Sequence, residues 1–179
     1  MMILVTGGAA SGKSAYAESL FEGFTGLKYY LATMENADFE SEQRIERHRG
    51  MRFGKGFITL EIDDGLEAAI SQLYSRDVNV VLEDLGNLVA RELFGVDGSV
   101  RDPDDVIEHI MVNVRMLAKR CKNLVIVANE LGGDGVSYGS GTQLYQVVVG
   151  SIACALAGMS DVVVEVAAGQ PRVLKGELS

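Results

Sequence analysis

The octapeptide Gly7-Gly8-Ala9-Ala10-Ser11-Gly12-Lys13-Ser14 constrains this chain more than any other stretch. It fits the pattern GxxxxGK[ST]. It follows the short apolar run Ile3–Val5, and it precedes Ser14–Phe21, where Ala15, Ala17 and Leu20 read as the start of a helix. A strand that turns through glycines into a helix aims several backbone N–H groups at one point, and the positive end of the helix adds to them. That arrangement binds phosphate. Each residue type has a task. Glycine lets the backbone wrap around the phosphates, Lys13 bridges the β- and γ-phosphates, and the Ser14 hydroxyl ligates Mg²⁺. Gly7, Gly8, Ala9, Ala10, Ser11, Gly12, Lys13 and Ser14 are therefore nucleotide-binding candidates, with Lys13 also catalytic and Ser14 also a metal ligand.

The rest of the chain alternates apolar runs with helical patterns. Strands are expected at Ile3–Val5, Leu27–Ala32, Phe57–Ile62, Val78–Leu82, Leu124–Ala128 and Val162–Val166, with an edge at Val173–Leu174. Helices are expected at Asp38–Arg49, from Asp64 and Glu67 onward, at Leu88–Phe94, after Asp102, and at Gln143–Leu156. Asp102-Pro103-Asp104-Asp105 has the chemistry of a helix start, an Asp cap, a Pro and acids facing the dipole, and Lys119, Arg120 and Lys122 suit its end. This order predicts an α/β fold, a mainly parallel sheet flanked by helices, in one nucleotide-binding domain spanning residues 1–179. Ligands in such sheets sit at the carboxyl ends of strands. Chemistry is expected just after Val5, Ala32, Leu82 and Ala128.

A magnesium ion needs an acid at the end of a neighbouring strand. Val80-Val81-Leu82 ends in Glu83-Asp84. One of the two should face the metal, and Asp84 is also placed to cap a following helix while Glu83 serves the ion. The loop and this acid predict a nucleotide-dependent enzyme or switch. The base-reading NKxD of GTPases is absent.

Charge is unevenly spread. The chain carries a net −9, which argues against a nucleic-acid or anionic-membrane partner. Yet in residues 44–55, RIERHRGMRFGK, five cations face one acid, so this island carries +4 and the remainder −13. Such a run suits either a solvated helix face or a site for a triphosphate. Cations around His48 hold its imidazole neutral, and a neutral imidazole beside bound phosphate can attack phosphorus. His109 has no cationic neighbours and is expected at the surface. Cys121 and Cys154 lack metal-ligand spacing and are expected to be small buried hydrophobes, thiols kept reduced in the cytoplasm. No run of about 18 apolar residues suggests a membrane span.

Together these residues resemble the bifunctional adenosylcobinamide kinase/adenosylcobinamide-phosphate guanylyltransferase family of cobalamin biosynthesis. The resemblance rests on the opening MILVTGGAASGKS, on Tyr30-Leu31-Ala32-Thr33, and on Glu40…Arg44-Ile45-Glu46-Arg47-His48-Arg49…Arg52 followed by Thr59 and Glu61. Asn129-Glu130-Leu131-Gly132 and Ala168-Gly169-Gln170-Pro171 extend it to the C-terminal end. The resemblance implies a RecA-like P-loop architecture, a homo-oligomer that is typically a trimer, and two reactions. A nucleoside triphosphate, GTP or ATP, phosphorylates adenosylcobinamide. GTP then guanylylates His48, and the GMP passes to adenosylcobinamide phosphate. It adds Ala32, Thr33, Met34, Arg49, Gly50, Met51, Arg52, Glu61 and Glu83 to the nucleotide-binding residues, and makes His48 and Glu83 catalytic.

The chain also departs from the family pattern. Ala10 stands where an Arg is usual, Phe53 replaces a Pro and Phe57 a Trp. The charged stretch RxFRDxxGxxNQ is replaced by Gln143–Cys154, within a segment, Gly135 to Ser160, that holds no charged residue. Such a helix suits burial against the sheet or between subunits, or marks a lost family contact. Two alternatives therefore stand beside the enzyme: a catalytically silent nucleotide-binding relative that acts by association, and a P-loop small-metabolite kinase without the guanylyl step.

Overall fold

The computed structural model describes residues 1–33, 50, 54–62, 65–75, 77–95, 97–132, 135–136 and 138–178. In chain order the elements are β1 (Met2–Gly7), α1 (Lys13–Ser19), a 3-10 turn (Leu20–Gly23), β2 (Lys28–Ala32), β3 (Phe57–Glu61), α2 (Leu66–Ser71) and β4 (Val78–Glu83). They continue with α3 (Leu85–Leu93), α4 (Pro103–Arg120), β5 (Cys121–Asn129), α5 (Ser140–Met159), β6 (Val162–Ala167) and β7 (Gln170–Lys175). The strands form one seven-stranded sheet in the order β3-β2-β4-β5-β1-β6-β7. All neighbours are parallel except β7, which runs antiparallel to β6.

Alternation along the central strands divides two apolar layers. Ile3, Val5, Val81, Val125 and Val127 pack with Ala17 of α1 and Phe21 of the 3-10 turn that follows it, both buried. Leu4, Val80, Leu82, Leu124 and Ile126 face the opposite side and pack with α2, α3, α4 and α5. This is why β4 is buried at all six positions: both faces of the sheet are covered, so its run is apolar apart from Asn79 and the terminal Glu83. Burying one such side chain contributes roughly 1.5–3 kcal/mol.

The helix starts follow their chemistry. Asp102 accepts from the backbone N–H groups of Asp104 and Asp105, at 2.9 and 3.4 Å, and Pro103 opens α4. Its apolar stripe, Val106, Ile110, Val114 and Leu117, is buried. The helix expected at Asp38–Arg49 falls outside the described residues.

Two expectations are extended. β7 is a full edge strand rather than the pair Val173–Leu174, because the Ala168-Gly169 turn folds it back along β6. The helix expected at Gln143–Leu156 runs from Ser140 to Met159. By length and composition α5 is apolar enough to cross a membrane, which the sequence expectation passed over. Its Val148, Val149, Ile152 and Leu156 pack into the core, while Val147 is 64% exposed. Burial against the chain thus accounts for one face of α5.

Candidate nucleotide-binding site

Five parallel strands end together. Register places Ala32 beside both Glu61 and Glu83, and Gly7 beside Asn129. The sheet therefore gathers residues that lie far apart in sequence along one edge.

The phosphate loop is held from behind. A Cβ on Gly7 would collide with the Val166 carbonyl, so only glycine lets the loop start where β1 meets β6. Gly12 takes φ 91°, and a Cβ there would meet Gly169 Cα at 3.2 Å. The Gly169 N–H donates to the Ser11 carbonyl at 2.7 Å. Ala168 (φ 49°) and Gly169 (φ 76°) supply the two left-handed residues of a tight hairpin turn. The Ala168–Pro171 motif is thereby explained: the hairpin buttresses the loop.

Lys13 is buried, and its ammonium donates to the Gly8 carbonyl at 3.0 Å, so the charge stands inside the loop. The Ser14 hydroxyl donates to Glu83 Oε1 at 2.5 Å. Burial, opposed by the Ser14 bond and by Lys13 and reinforced by the nearby Asp84 and Glu18, pushes the Glu83 carboxyl up to about 7. Glu83 Oε2 is buried without a hydrogen-bond partner among the described residues. A hydroxyl and a carboxylate with one oxygen to spare are hard donors of the kind Mg²⁺ takes.

Asp84 does other work. Its Oδ1 caps α3 by accepting from Asn87 N–H at 2.8 Å, and its Oδ2 accepts from the Asn129 amide at 2.7 Å. With both oxygens engaged, Asp84 leaves the Ser14 side to Glu83. Thr33, also buried, brackets the cis Glu83–Asp84 peptide: its hydroxyl donates toward both carbonyls and accepts from Asp84 N–H at 2.8 Å. Thr33 thus sets the strand end that carries Glu83.

Ala32 is half-buried, Glu61 is exposed at the end of β3, and Gly50 is exposed. His48, Met34, Arg49, Met51 and Arg52 lie outside the described residues, as do the other Arg residues of the island. Its last cation is described. Lys55 Nζ meets Glu18 Oε2 at 2.7 Å, and Glu18 is a buried residue of α1. Glu18 escaped the sequence reading because an acid in a helix carries no motif; only its place four residues after Ser14, on the same helix face, hinted at it.

His109 lies among carboxylates rather than on an unengaged surface. Its Nε2 is 2.5 Å from Glu67 and its Nδ1 3.3 Å from Glu92, which also binds Arg101. Burial raises the Glu67 carboxyl, but its backbone, Asn113 and His109 outweigh this and hold it below the usual range.

On the far side of the loop, Gly8 and Ala9 border a groove of about 560 Å³. Its other walls are Glu130–Gly132 after β5 and residues of α5 and its lead-in. Tyr145 reaches toward Gly86, where a Cβ would lie 2.6 Å from its hydroxyl. Burial, with Asp84 nearby, pushes that hydroxyl up to about 12.

A parallel sheet with a phosphate loop after its first strand defines a P-loop nucleotide-binding fold. Solved structures agree on the fold. The chain resembles a structure from Pyrococcus horikoshii OT3 at TM-score 0.53 and 12% identity, covering 99% of this chain and 87% of that one. It resembles an ATPase of a bacterial type III secretion system at TM-score 0.53 and 11% identity, covering 92% of this chain and 50% of that one. Residues 3–174 match the cobinamide kinase / cobinamide phosphate guanyltransferase family, and the chain belongs to it. It is 36% identical over 141 residues to the bifunctional adenosylcobalamin biosynthesis protein CobU of Escherichia coli, covering 74% of this chain and 76% of the relative. It is 30% identical over 178 residues to that of Salmonella typhimurium, covering 94% and 97%.

Proposed function

We propose that this chain is a cytoplasmic transferase of cobalamin biosynthesis that both phosphorylates adenosylcobinamide and transfers GMP from GTP to the resulting phosphate through His48. The observation that carries the nucleotide chemistry is the Ser14–Glu83 contact at 2.5 Å beside the buried Lys13. Family membership supports the two acceptors.

In the first reaction the loop N–H groups and Lys13 hold the phosphates, and the acceptor hydroxyl attacks the γ-phosphorus of GTP or ATP. Mg²⁺ bound with the nucleotide, held by Ser14 and Glu83, would supply positive charge to the phosphate oxygens. In the second, the His48 imidazole attacks the α-phosphorus of GTP and the bond to the β-phosphate oxygen breaks, releasing pyrophosphate. A phosphate oxygen of adenosylcobinamide phosphate then attacks the same phosphorus, the N–P bond breaks, and adenosylcobinamide-GDP leaves. Arg49, Gly50, Met51, Arg52, Ala32, Thr33, Met34 and Glu61 hold the nucleotide in this scheme, and cations near His48 keep its imidazole neutral at neutral pH.

Incubation with GTP labelled at the α-phosphate tests this. Acid-labile, alkali-stable label on the protein is expected, and it is lost in His48→Ala. Phosphorylated cobinamide without labelled protein would leave a kinase alone. Nucleotide binding without either product would favour a silent relative, the reading that the charge-free α5 suggests.

A further inference from the structure

The groove beside the phosphate loop has three walls of different chemistry. Gly8 forms one, and the Gly8 carbonyl receives the Lys13 ammonium at 3.0 Å. Lysine in this position reaches the terminal phosphates. The groove therefore abuts the end of the loop where the transferable phosphoryl group lies.

Glu130 forms the second wall. Its N–H donates to the Gly7 carbonyl at 3.0 Å, which ties it to the start of the loop. Its carboxylate is exposed in the groove and accepts from the Thr6 hydroxyl at 3.3 Å. The third wall, Tyr138, Thr142, Tyr145 and Gln146, is neutral, offering hydroxyls, an amide and ring faces. Among the described lining residues Glu130 alone is charged at neutral pH. A site for an anionic acceptor would present cations here. This one presents one carboxylate beside the terminal-phosphate end of the loop and otherwise uncharged donors and acceptors.

We propose that this groove seats the acceptor alcohol of the phosphorylation step, with Glu130 as its general base, and that the neutral wall of α5 selects the uncharged alcohol over its phosphorylated form. The inference rests on the kinase activity proposed above. The hydroxyl proton passes to a Glu130 carboxylate oxygen as the hydroxyl oxygen bonds to the γ-phosphorus. The bond from that phosphorus to the β-phosphate oxygen breaks, the nucleoside diphosphate leaves, and Glu130 returns the proton to water. The phosphorylated product, now an anion beside Glu130, is repelled from the groove and leaves it.

Steady-state phosphorylation of adenosylcobinamide, with fluorescent-nucleotide binding measured in parallel, tests the assignment. Glu130→Gln is expected to lower kcat at least about 100-fold and to keep nucleotide affinity within about twofold, since its side chain lies beside the acceptor. The same variant is expected to bind cobinamide phosphate at least about tenfold more tightly than the parent, because the repelling charge is gone. Gln146→Ala is expected to raise the KM for the alcohol about fivefold with kcat within twofold. Thr6→Val removes only the Thr6–Glu130 bond and separates loop geometry from base chemistry; it is expected to stay within about threefold of the parent. If the parent phosphorylates cobinamide and Glu130→Gln retains more than a third of its kcat, the base assignment is overturned and the kinase reading stands. If Gln146→Ala leaves KM unchanged, the acceptor lies elsewhere. If the parent itself forms no cobinamide phosphate, both the inference and the kinase reading fail.

Discussion

Glu83 shows how one side chain can be set against its own ionisation. Burial raises its carboxyl to about 7 in the folded chain. Below the ordinary carboxylate range both folded and unfolded states are protonated and nothing is lost. As pH rises the unfolded chain ionises first, so this group's contribution to stability declines through that window and is fully lost above pH 7. The ceiling on the loss is about 3 kcal/mol at roughly 1.4 kcal/mol per unit. Glu83→Gln is therefore expected to melt higher than the parent at pH 8, without nucleotide or divalent cation, and to match it at pH 4. Thermal scans at the two pH values check this; a variant melting lower at pH 8 would show the charged carboxylate is held favourably. The cysteines differ on the same grounds. Burial pushes the Cys121 thiol up to about 12, while Cys154, expected to be buried, is exposed, because it lies on the face of α5 opposite the core-packed Val148, Val149, Ile152 and Leu156. A maleimide at pH 7.5 is expected to modify Cys154 and leave Cys121 intact, as peptide mass mapping would read.

Among the elements, those with a strong local chemical signal were legible. The Asp102 cap, Pro103 and the spacing of Val106, Ile110, Val114 and Leu117 predict α4, and the helix runs as they require. Asp102→Ala is expected to cost about 1 kcal/mol, because two N–H groups lose their acceptor; a urea titration reads this as a lower midpoint with unchanged slope. Continuous β-branched runs likewise announced the central strands. The division of labour between Glu83 and Asp84 was only half legible. The residue pair shows two acids, but Asn129 of another strand and Thr33, just beyond the end of a third, decide which one turns to Ser14. Nor could the spacing of Ala168 and Gly169 show that their hairpin rests against Ser11 and Gly12, a contact more than 150 residues long in sequence.

The whole molecule combines an acidic body with a neutral α5. In this fold the face of α5 that carries Val147 and Cys154 is exposed and uncharged. The family resemblance implies a trimer, and light scattering on the purified protein is expected to give three times the chain mass of 19.2 kDa; a mass of one chain would exclude it. Residue order alone fixes the phosphate loop, the alternation of strands and helices, the parallel sheet and the family, because these depend on contiguous residue types and on periods of a few residues. The +4 island and His48 were also read from order alone. Which acid faces Ser14, the buttress behind the loop, the Glu18–Lys55 pair and the groove beside Gly8 were settled only by tertiary structure. Each depends on side chains from separate strands and helices meeting in space, and strand order and register, not neighbouring residues, determine those meetings.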